Sequence, residues 1–349
     1  MAFIDGRGTE QPQPRESAMT AHHNRSARTR LFALSLCFCA VLAACKDDNK
    51  PAPAAASHSP SASGKTQPAK DPARVQAAAR SAYSKGYNEL IDDNRSVAAV
   101  YKSYVRMNVN GKSPSESAFY GAPSDMRSTL DDLQKARTDG SGDAALDAAV
   151  DGVVTTGEKL IAVWTPMDPY YKSKGFLEDK WVKARAADVD MNAAFKGMLV
   201  SIDKLGDELG RVQDAARAER MAKLKAEGDM LNYHMLASMA VAKKFVNSLD
   251  QIDGLKNKEA VAKVDASASE LQASLEEFSK ALEEAKAKAK AKGADGKAPH
   301  YSYESLHSSL LSMIGQWRTF KDSKFPSTFQ NIVSHYNSAV GYYNGGFGR

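Results

Sequence analysis

Residues 261–282 read VAKVDASASELQASLEEFSKAL, and within them Val261, Val264, Ala268, Leu271, Leu275, Phe278 and Leu282 recur at alternating steps of three and four. On a helix of 3.6 residues per turn these positions form one narrow apolar seam, the kind that packs lengthwise on another helix. A strand would need alternation at every second residue, which this stretch lacks. The same period continues on both sides. Upstream, Leu231, Met235, Ser238, Ala242, Phe245, Leu249 and Ile252 form a second stripe, and Phe195, Leu199, Ile202, Leu205, Leu209 and Val212 a third. Between these two, Ala215 to Glu227 is nearly all Ala and charged residues. Either one helix about 90 Å long crosses this gap or it bends near Gly228, and the favoured reading is a long helix with a kink.

Downstream the seam runs out into Ala285-Lys-Ala-Lys-Ala-Lys-Ala-Lys292 and stops at Gly293. Two final helices fit Leu306, Leu310, Met313, Trp317 and Phe320, then Phe329, Ile332, Tyr336, Val340 and Tyr343, separated by Pro326. In the N-terminal half, Tyr83, Tyr87, Leu90, Asn94, Val97, Tyr101 and Tyr104 read as one helical stripe of about six turns, mostly tyrosine. Met126, Leu130 and Leu133 follow, with Ser124 placed as a cap. The next stripe, Leu146, Val150, Val153, Gly157, Leu160 and Trp164, is stopped by Pro166. No run alternates β-branched residues between turn signals, so residues 73–349 are expected to be all-α, an elongated helical bundle with coiled-coil-like seams.

One segment breaks the rhythm. Pro166 to Trp181 holds two prolines, a glycine and four aromatics in 16 residues, and reads as the irregular connection of the domain. Aromatics and carboxylates on such a connection can build a binding surface, which makes Tyr170, Tyr171, Glu178, Asp179 and Trp181 the candidates. The alternative is that they plug one end of the bundle.

The N-terminus carries a different message. Arg25, Arg28 and Arg30 precede 14 residues, Leu31 to Ala44, that are predominantly apolar and end in Leu42-Ala43-Ala44-Cys45. A positive flank keeps the N-terminus cytoplasmic during insertion. The run is shorter than the roughly 20 residues a spanning helix needs. Residues 1–45 are therefore expected to be a lipoprotein signal, cut before Cys45, with Leu42, Ala43 and Ala44 as the cleavage motif and Cys45 as the acylated residue. Met19 could serve as the start, since the signal is complete without residues 1–18. Residues 46–72, KDDNKPAPAAASHSPSASGKTQPAKDP, have no aliphatic side chain larger than Ala and are expected to be a disordered tether reaching about 30 Å.

Composition agrees. All three cysteines, Cys37, Cys39 and Cys45, lie in the signal, so the exported part has no disulfide to lean on. Five of the 47 basic and three of the 42 acidic residues lie in the first 45, so 42 and 39 remain, a net of +3 that gives no reason to expect nucleic acid. There is no Gly-x-Ser-x-Gly elbow, phosphate-cradling glycine loop or metal-ligand spacing, so no catalytic residue, metal or cofactor is assigned. His234, His307 and His335 lie on or beside apolar stripes and read as satisfied histidines. Lys286 to Lys292 reads as a solvated helix end favoured by the helix dipole. Tyr87-Asn88, Tyr336-Asn337 and Tyr343-Asn344 repeat a pair whose tyrosines read as core residues with polar tips.

These last features also carry a resemblance. The lipobox at Cys45, Tyr87-Asn88, Tyr170-Tyr171 with Gly175 and Glu178-Asp179-Lys180, and the ending Tyr336-Asn-Ser-Ala-Val-Gly-Tyr-Tyr-Asn344 resemble the YiiG-like bacterial lipoproteins, whose defining domain has no known function. The resemblance covers roughly residues 75–345. It implies an all-helical envelope lipoprotein and supplies no catalytic residues. The expected function is a non-enzymatic binding or scaffolding module. It would be anchored to the membrane through Cys45, on the periplasmic face of the outer membrane, with an envelope protein as candidate partner. The alternative is a solute- or metal-binding lipoprotein whose cleft is lined by Tyr170, Tyr171, Trp181 and the Tyr-Asn stripe.

Overall fold

The computed structural model describes residues 71–347 except 93–94, 117–118, 250–251, 253–254 and 294–298. The signal, Cys45 and the tether as far as residue 70 lie outside the described residues, as does Asn94 of the tyrosine stripe. Every regular element among the described residues is a helix: α1 (Pro72–Ile91), α2 (Val97–Arg106), α3 (Pro123–Asp139), α4 (Ala144–Trp164), α5 (Asp168–Lys172), α6 (Phe176–Asp179), α7 (Val182–Ala226), α8 (Met230–Leu249), α9 (Lys258–Ala291), α10 (Ser302–Ser323) and α11 (Pro326–Gly346). The all-α bundle expected from periodicity is the fold observed.

The helices surround two apolar cores that share one wall. The first is built from α1 to α6 and the N-terminal half of α7, with Leu130, Leu133, Leu146, Val150, Leu160, Phe195 and Leu205 at its centre. The second is built from the end of α7 and from α8 to α11, with Phe245, Leu271, Phe278, Leu306, Leu310, Met313 and Tyr336. In the first core α4 lies along α7, and α3 packs on both α1 and α4; in the second α8 pairs with α9 and α10 with α11. The seam that opened the sequence reading is buried as expected from Val264 to Leu282, with Val261 half-buried at its edge.

Buried tyrosine and tryptophan tips fasten neighbouring helices. The Tyr83 hydroxyl on α1 donates to Asp147 on α4 at 3.0 Å. On α2, Tyr101 and Tyr104 donate to Asn192 at 2.9 Å and Asp188 at 2.6 Å, both on α7. In the second core Tyr303 donates to Asn232 at 2.9 Å, and the Trp317 indole N–H to Asp265 at 2.8 Å. Of the Tyr-Asn pairs, Tyr87, Tyr336 and Tyr343 are all buried, as core tyrosines should be.

Four local expectations are corrected. The tyrosine stripe is two helices: α1 ends at Ile91, and Ser96 starts α2 by accepting the Ala99 N–H at 3.0 Å. Asp92 and Ser96 offer side-chain oxygens that compete with the helical ladder, so periodicity survives a break in the helix. Ser124 is not a cap; Pro123 occupies the first helical position of α3, where its fixed φ and missing N–H cost nothing. Pro166 to Trp181 is not irregular but holds the short helices α5 and α6, and left-handed Lys180 and Trp181 (φ 52° and 71°) turn the chain into α7.

The long kinked helix is instead a hairpin. At its C-terminus α7 closes with Gly228 in the left-handed region (φ 73°), Gly228 N–H donating to Lys225 O at 3.2 Å and Asp229 N–H to Leu224 O at 2.9 Å. Asp229 then caps α8 by accepting the Asn232 N–H at 3.2 Å. With the turn midway between them, Lys243 on α8 reaches Asp214 on α7 at 3.4 Å, so α8 runs back along α7. Arg217 joins the same carboxylate at 2.8 Å. Burial pushes the Lys243 pKa down, and Asp214 only partly offsets it.

Two outcomes follow from these contacts. Gly228→Ala forces a Cβ into the left-handed region and is expected to cost about 1–2 kcal/mol in urea unfolding, although nothing crowds the site; an unchanged midpoint would contradict the hairpin. Burial would raise the Asp147 pKa, but hydrogen bonds from Ser141 and Tyr83 outweigh it and hold the carboxyl below its usual value. Such a group stabilises the fold above its unfolded pKa, near 4, and this contribution is lost as pH falls through the folded value. Asp147→Asn should therefore lower stability by about 1–3 kcal/mol at pH 7. Its deficit against the parent should shrink between pH 5 and pH 3, and an undiminished deficit at pH 3 would count against the assignment.

Candidate functional site

The sequence-selected surface on residues 166–181 is placed mostly inside the first core. Tyr170, Tyr171 and Trp181 are at most 9 % exposed. Trp181 stacks on Phe176 with ring centroids 4.1 Å apart, and Tyr170 meets Tyr171 edge-on at 5.3 Å. Burial, then the Asp179 hydrogen bond, push the Tyr170 pKa up to about 12, and burial does the same for Tyr171. Asp179 accepts the Tyr170 hydroxyl at 2.8 Å and the Lys183 N–H at 2.9 Å, so it fastens α6 to the first turn of α7. Glu178 is exposed. The aromatic faces of the three rings are taken up by one another and by Phe176, Phe119 and Tyr104.

An open cleft lies nearby, on the other side of Phe119. Phe119 packs against Tyr171 at 5.3 Å and against Trp164 at 5.2 Å. Trp164 then lines a cleft of about 630 Å³ bounded by the α1–α2 connection, the start of α3 and the end of α4. That size falls within the range of small-molecule sites. Its apolar wall is Leu90, Val97, Val100, Met126, Leu160, Trp164 and Phe195, and its polar groups are Glu89, Asp92, Arg95, Tyr120, Asp125, Ser128 and Thr129.

Each wall has a local cause. The α1–α2 break brings Asp92 and Arg95 to the cleft, with Arg95 N–H on Asp92 O at 3.0 Å. Pro123 starts α3 here and sets Asp125 in its first turn, where a carboxylate is favoured by the helix dipole. Glu89 accepts the Thr129 hydroxyl at 3.0 Å and pairs with Lys85 at 3.5 Å. Neither Asp92, Asp125 nor Arg95 forms an ion pair with another described residue. Gly121 holds a left-handed turn (φ 101°) beside the cleft, where a Cβ would stand 3.0 Å from Val100 and 3.2 Å from Trp164. Trp164 is 3 % exposed, and its indole N–H meets no acceptor among the described residues. A buried N–H left without an acceptor costs roughly 1–3 kcal/mol, which the packing of the indole against Phe119 and Phe195 must offset.

Sequence reasoning identified Trp164 as the last core residue before Pro166 and missed the cleft. The available signal was Asp92 to Ser96, a run of helix breakers inside an apolar stripe. Among the described residues no three of His, Cys, Asp and Glu come together as metal ligands. His307 Nε2 instead meets the Leu275 carbonyl at 3.2 Å, and His300 Nδ1 the Ser302 hydroxyl at 2.7 Å. Lys286 pairs with Glu283 and Glu304 at 2.9 and 2.7 Å.

Comparison with known proteins places the chain in a family without giving it a task. Residues 80–338 match the family model described as Protein of unknown function (DUF3829), and the chain belongs to that family. No curated protein and no solved structure matches it. The matched span includes the cleft and all of the second core except the end of α11.

The geometry at Gly121 gives a direct check on the cleft. Gly121→Ala combines backbone strain with a crowded Cβ and is expected to lower stability by about 1–3 kcal/mol. It should also change the tryptophan emission, because the new methyl lies against Trp164. Unchanged emission with unchanged stability would show that the turn is not where the structure puts it.

Proposed function

We propose that this protein is a lipid-anchored component of the bacterial cell envelope, held on the periplasmic face of the outer membrane. Its helical domain would bind a ligand rather than turn one over. The observation that carries the anchoring is the order of Arg25, Arg28, Arg30, the 14-residue apolar run and Leu42-Ala43-Ala44-Cys45. The run is too short to span a bilayer, and no helix among the described residues is long and apolar enough to cross one. Acyl chains on Cys45 would supply the hold, since each buried methylene contributes about 0.8 kcal/mol and several chains make attachment firm. The resemblance to YiiG-like lipoproteins points the same way.

Between a scaffold for a partner protein and a solute binder, the cleft favours the solute binder. A bundle filled by its own side chains would have favoured the scaffold. Here a recess of about 630 Å³, a volume within the range of small-molecule sites, lined by apolar and polar side chains in equal number, supports that reading. Among the described residues no cluster of His, Cys, Asp and Glu supports metal binding.

The anchoring reading is tested on the mature protein. Mass spectrometry of the N-terminal peptide from bacterial membranes should find Cys45 as the first residue, carrying acyl chains. Cys45→Ser should leave an unprocessed chain. An unmodified Cys45, or a mature N-terminus elsewhere, would refute the lipoprotein reading.

A further inference from the structure

We infer that the outward face of α7 is where two copies of this chain associate, helix beside helix and parallel. Val182, Ala186, Val189, Ala193 and Val200 follow one another at steps of four, three, four and seven, the spacing of a seam that packs on another helix. On α9 the same spacing, from Val264 to Leu282, is buried. On α7 it is bare. Val189 at 74 % and Val200 at 68 % are the two most exposed large apolar side chains among the described residues, and Val182 is 66 % exposed. Met191, which closes the first core, lies about 200° around the helix from Val189, so the stripe points away from that core. Single exposed apolar residues are ordinary, whereas a continuous row of them about 27 Å long marks an interaction surface.

The charges beside the stripe select its occupant. Arg185 flanks one edge and Asp190 the other; both are exposed, and neither forms an ion pair with another described residue. Arg185 donates from Nε to the Val109 carbonyl at 3.2 Å and from Nη1 to the Lys180 carbonyl at 3.5 Å, so it is held in place with its charge uncompensated. A second copy laid parallel and in register sets Arg185 of each beside Asp190 of the other, five residues on, and two-fold symmetry makes this pair twice. Antiparallel pairing centred on the stripe would instead set Asp190 against Asp190 and Arg185 against Lys196. Like charges then meet at both edges. Lys196, the one charge near the middle of the stripe, has a stem long enough to carry its head clear of the seam. A bilayer fits less well, because interfacial helices present large apolar side chains ringed by cations, and here valine and alanine are bordered by Asp190, Asp203 and Asp207 as well as by Lys183, Arg185 and Lys196.

The experiment uses the full-length protein in detergent. The chain's cysteines all lie at or before residue 45, so a cysteine placed on α7 reports on that face, with the parent as background. Under mild oxidation Val182→Cys, Val189→Cys and Val200→Cys are each expected to give a disulfide-linked dimer, and Leu311→Cys, an exposed position on α10, none beyond the parent. By sedimentation the parent should pass from monomer to dimer as its concentration rises. Asp190→Arg, which sets arginine against Arg185 of the other copy, should weaken that dimer tenfold or more. Linkage only when Val182→Cys is mixed with Val200→Cys would make the pair antiparallel and overturn the inference. So would linkage as strong at Leu311→Cys, or a dimer that Asp190→Arg leaves unchanged, since another surface would then hold the copies together. A parent that stays monomeric refutes self-association outright; if a fluorophore on Val189→Cys is then quenched by labelled acyl chains in phosphatidylglycerol vesicles, the face is a membrane contact instead.

Discussion

The structure depends on one helix being long enough to serve two cores. At 45 residues α7 extends for about 68 Å, and its ends face different neighbours. Met191, Phe195, Met198, Ile202, Leu205 and Leu209 close the first core, whereas Leu224 belongs to the second. Between them the helix carries Asp214 and Arg217, and the hairpin at Gly228 brings Lys243 back to that carboxylate. The charged middle that looked like a gap in the apolar pattern is the junction of the two cores, where Arg217 and Lys243 are buried on Asp214 in place of an apolar stripe.

Aromatic side chains with polar tips set how the other helices meet this wall. A tyrosine buries a large apolar ring but demands a partner for its hydroxyl, so each pairing fixes register as well as contact. Tyr101 and Tyr104 tie α2 to α7, Tyr83 ties α1 to α4, and Trp317 ties α10 to α9. A core of leucine alone would pack as tightly and slide more easily. The chain has no disulfide beyond residue 45 to provide that specificity, and these hydrogen bonds stand in for it.

The same construction explains why a cleft exists at one end of the first core. The α1–α2 break and the proline-led start of α3 put backbone turns, in place of continuous helix, around the recess above the buried Trp164 and Phe195. Of the aromatics that the sequence offered either as a binding surface or as a plug, Tyr171 backs Trp164 through Phe119, while Tyr170 and Trp181 pack on Tyr171 and Phe176. Membership of a family of unknown function brings no residue roles with it, so the reading of this site rests on its own shape and charge.

Much was legible without coordinates. Apolar steps of three and four identified the central stripe of each long helix, from Tyr83 to Tyr343, because a helix must turn its apolar side chains to one side whatever it packs against; they missed flanking core residues such as Met191, Met198, Leu236, Met239, Val246 and Ile314. The apolar run ending at Cys45 likewise carries its meaning in order and length alone. What periodicity could not supply was direction: Gly228 fits a kink or a reversal equally well by composition, and the left-handed φ with its two hydrogen bonds decided for reversal. Nor could it tell an aromatic that fills a core from one that lines a cleft. Trp164 and Trp181 are both buried indoles near helix ends; Trp181 stacks on Phe176, and Trp164 packs against Phe119 and Phe195 at the floor of the cleft. That difference lies in the neighbours, which are brought together by chain reversals far away in sequence, so only the tertiary structure could decide it.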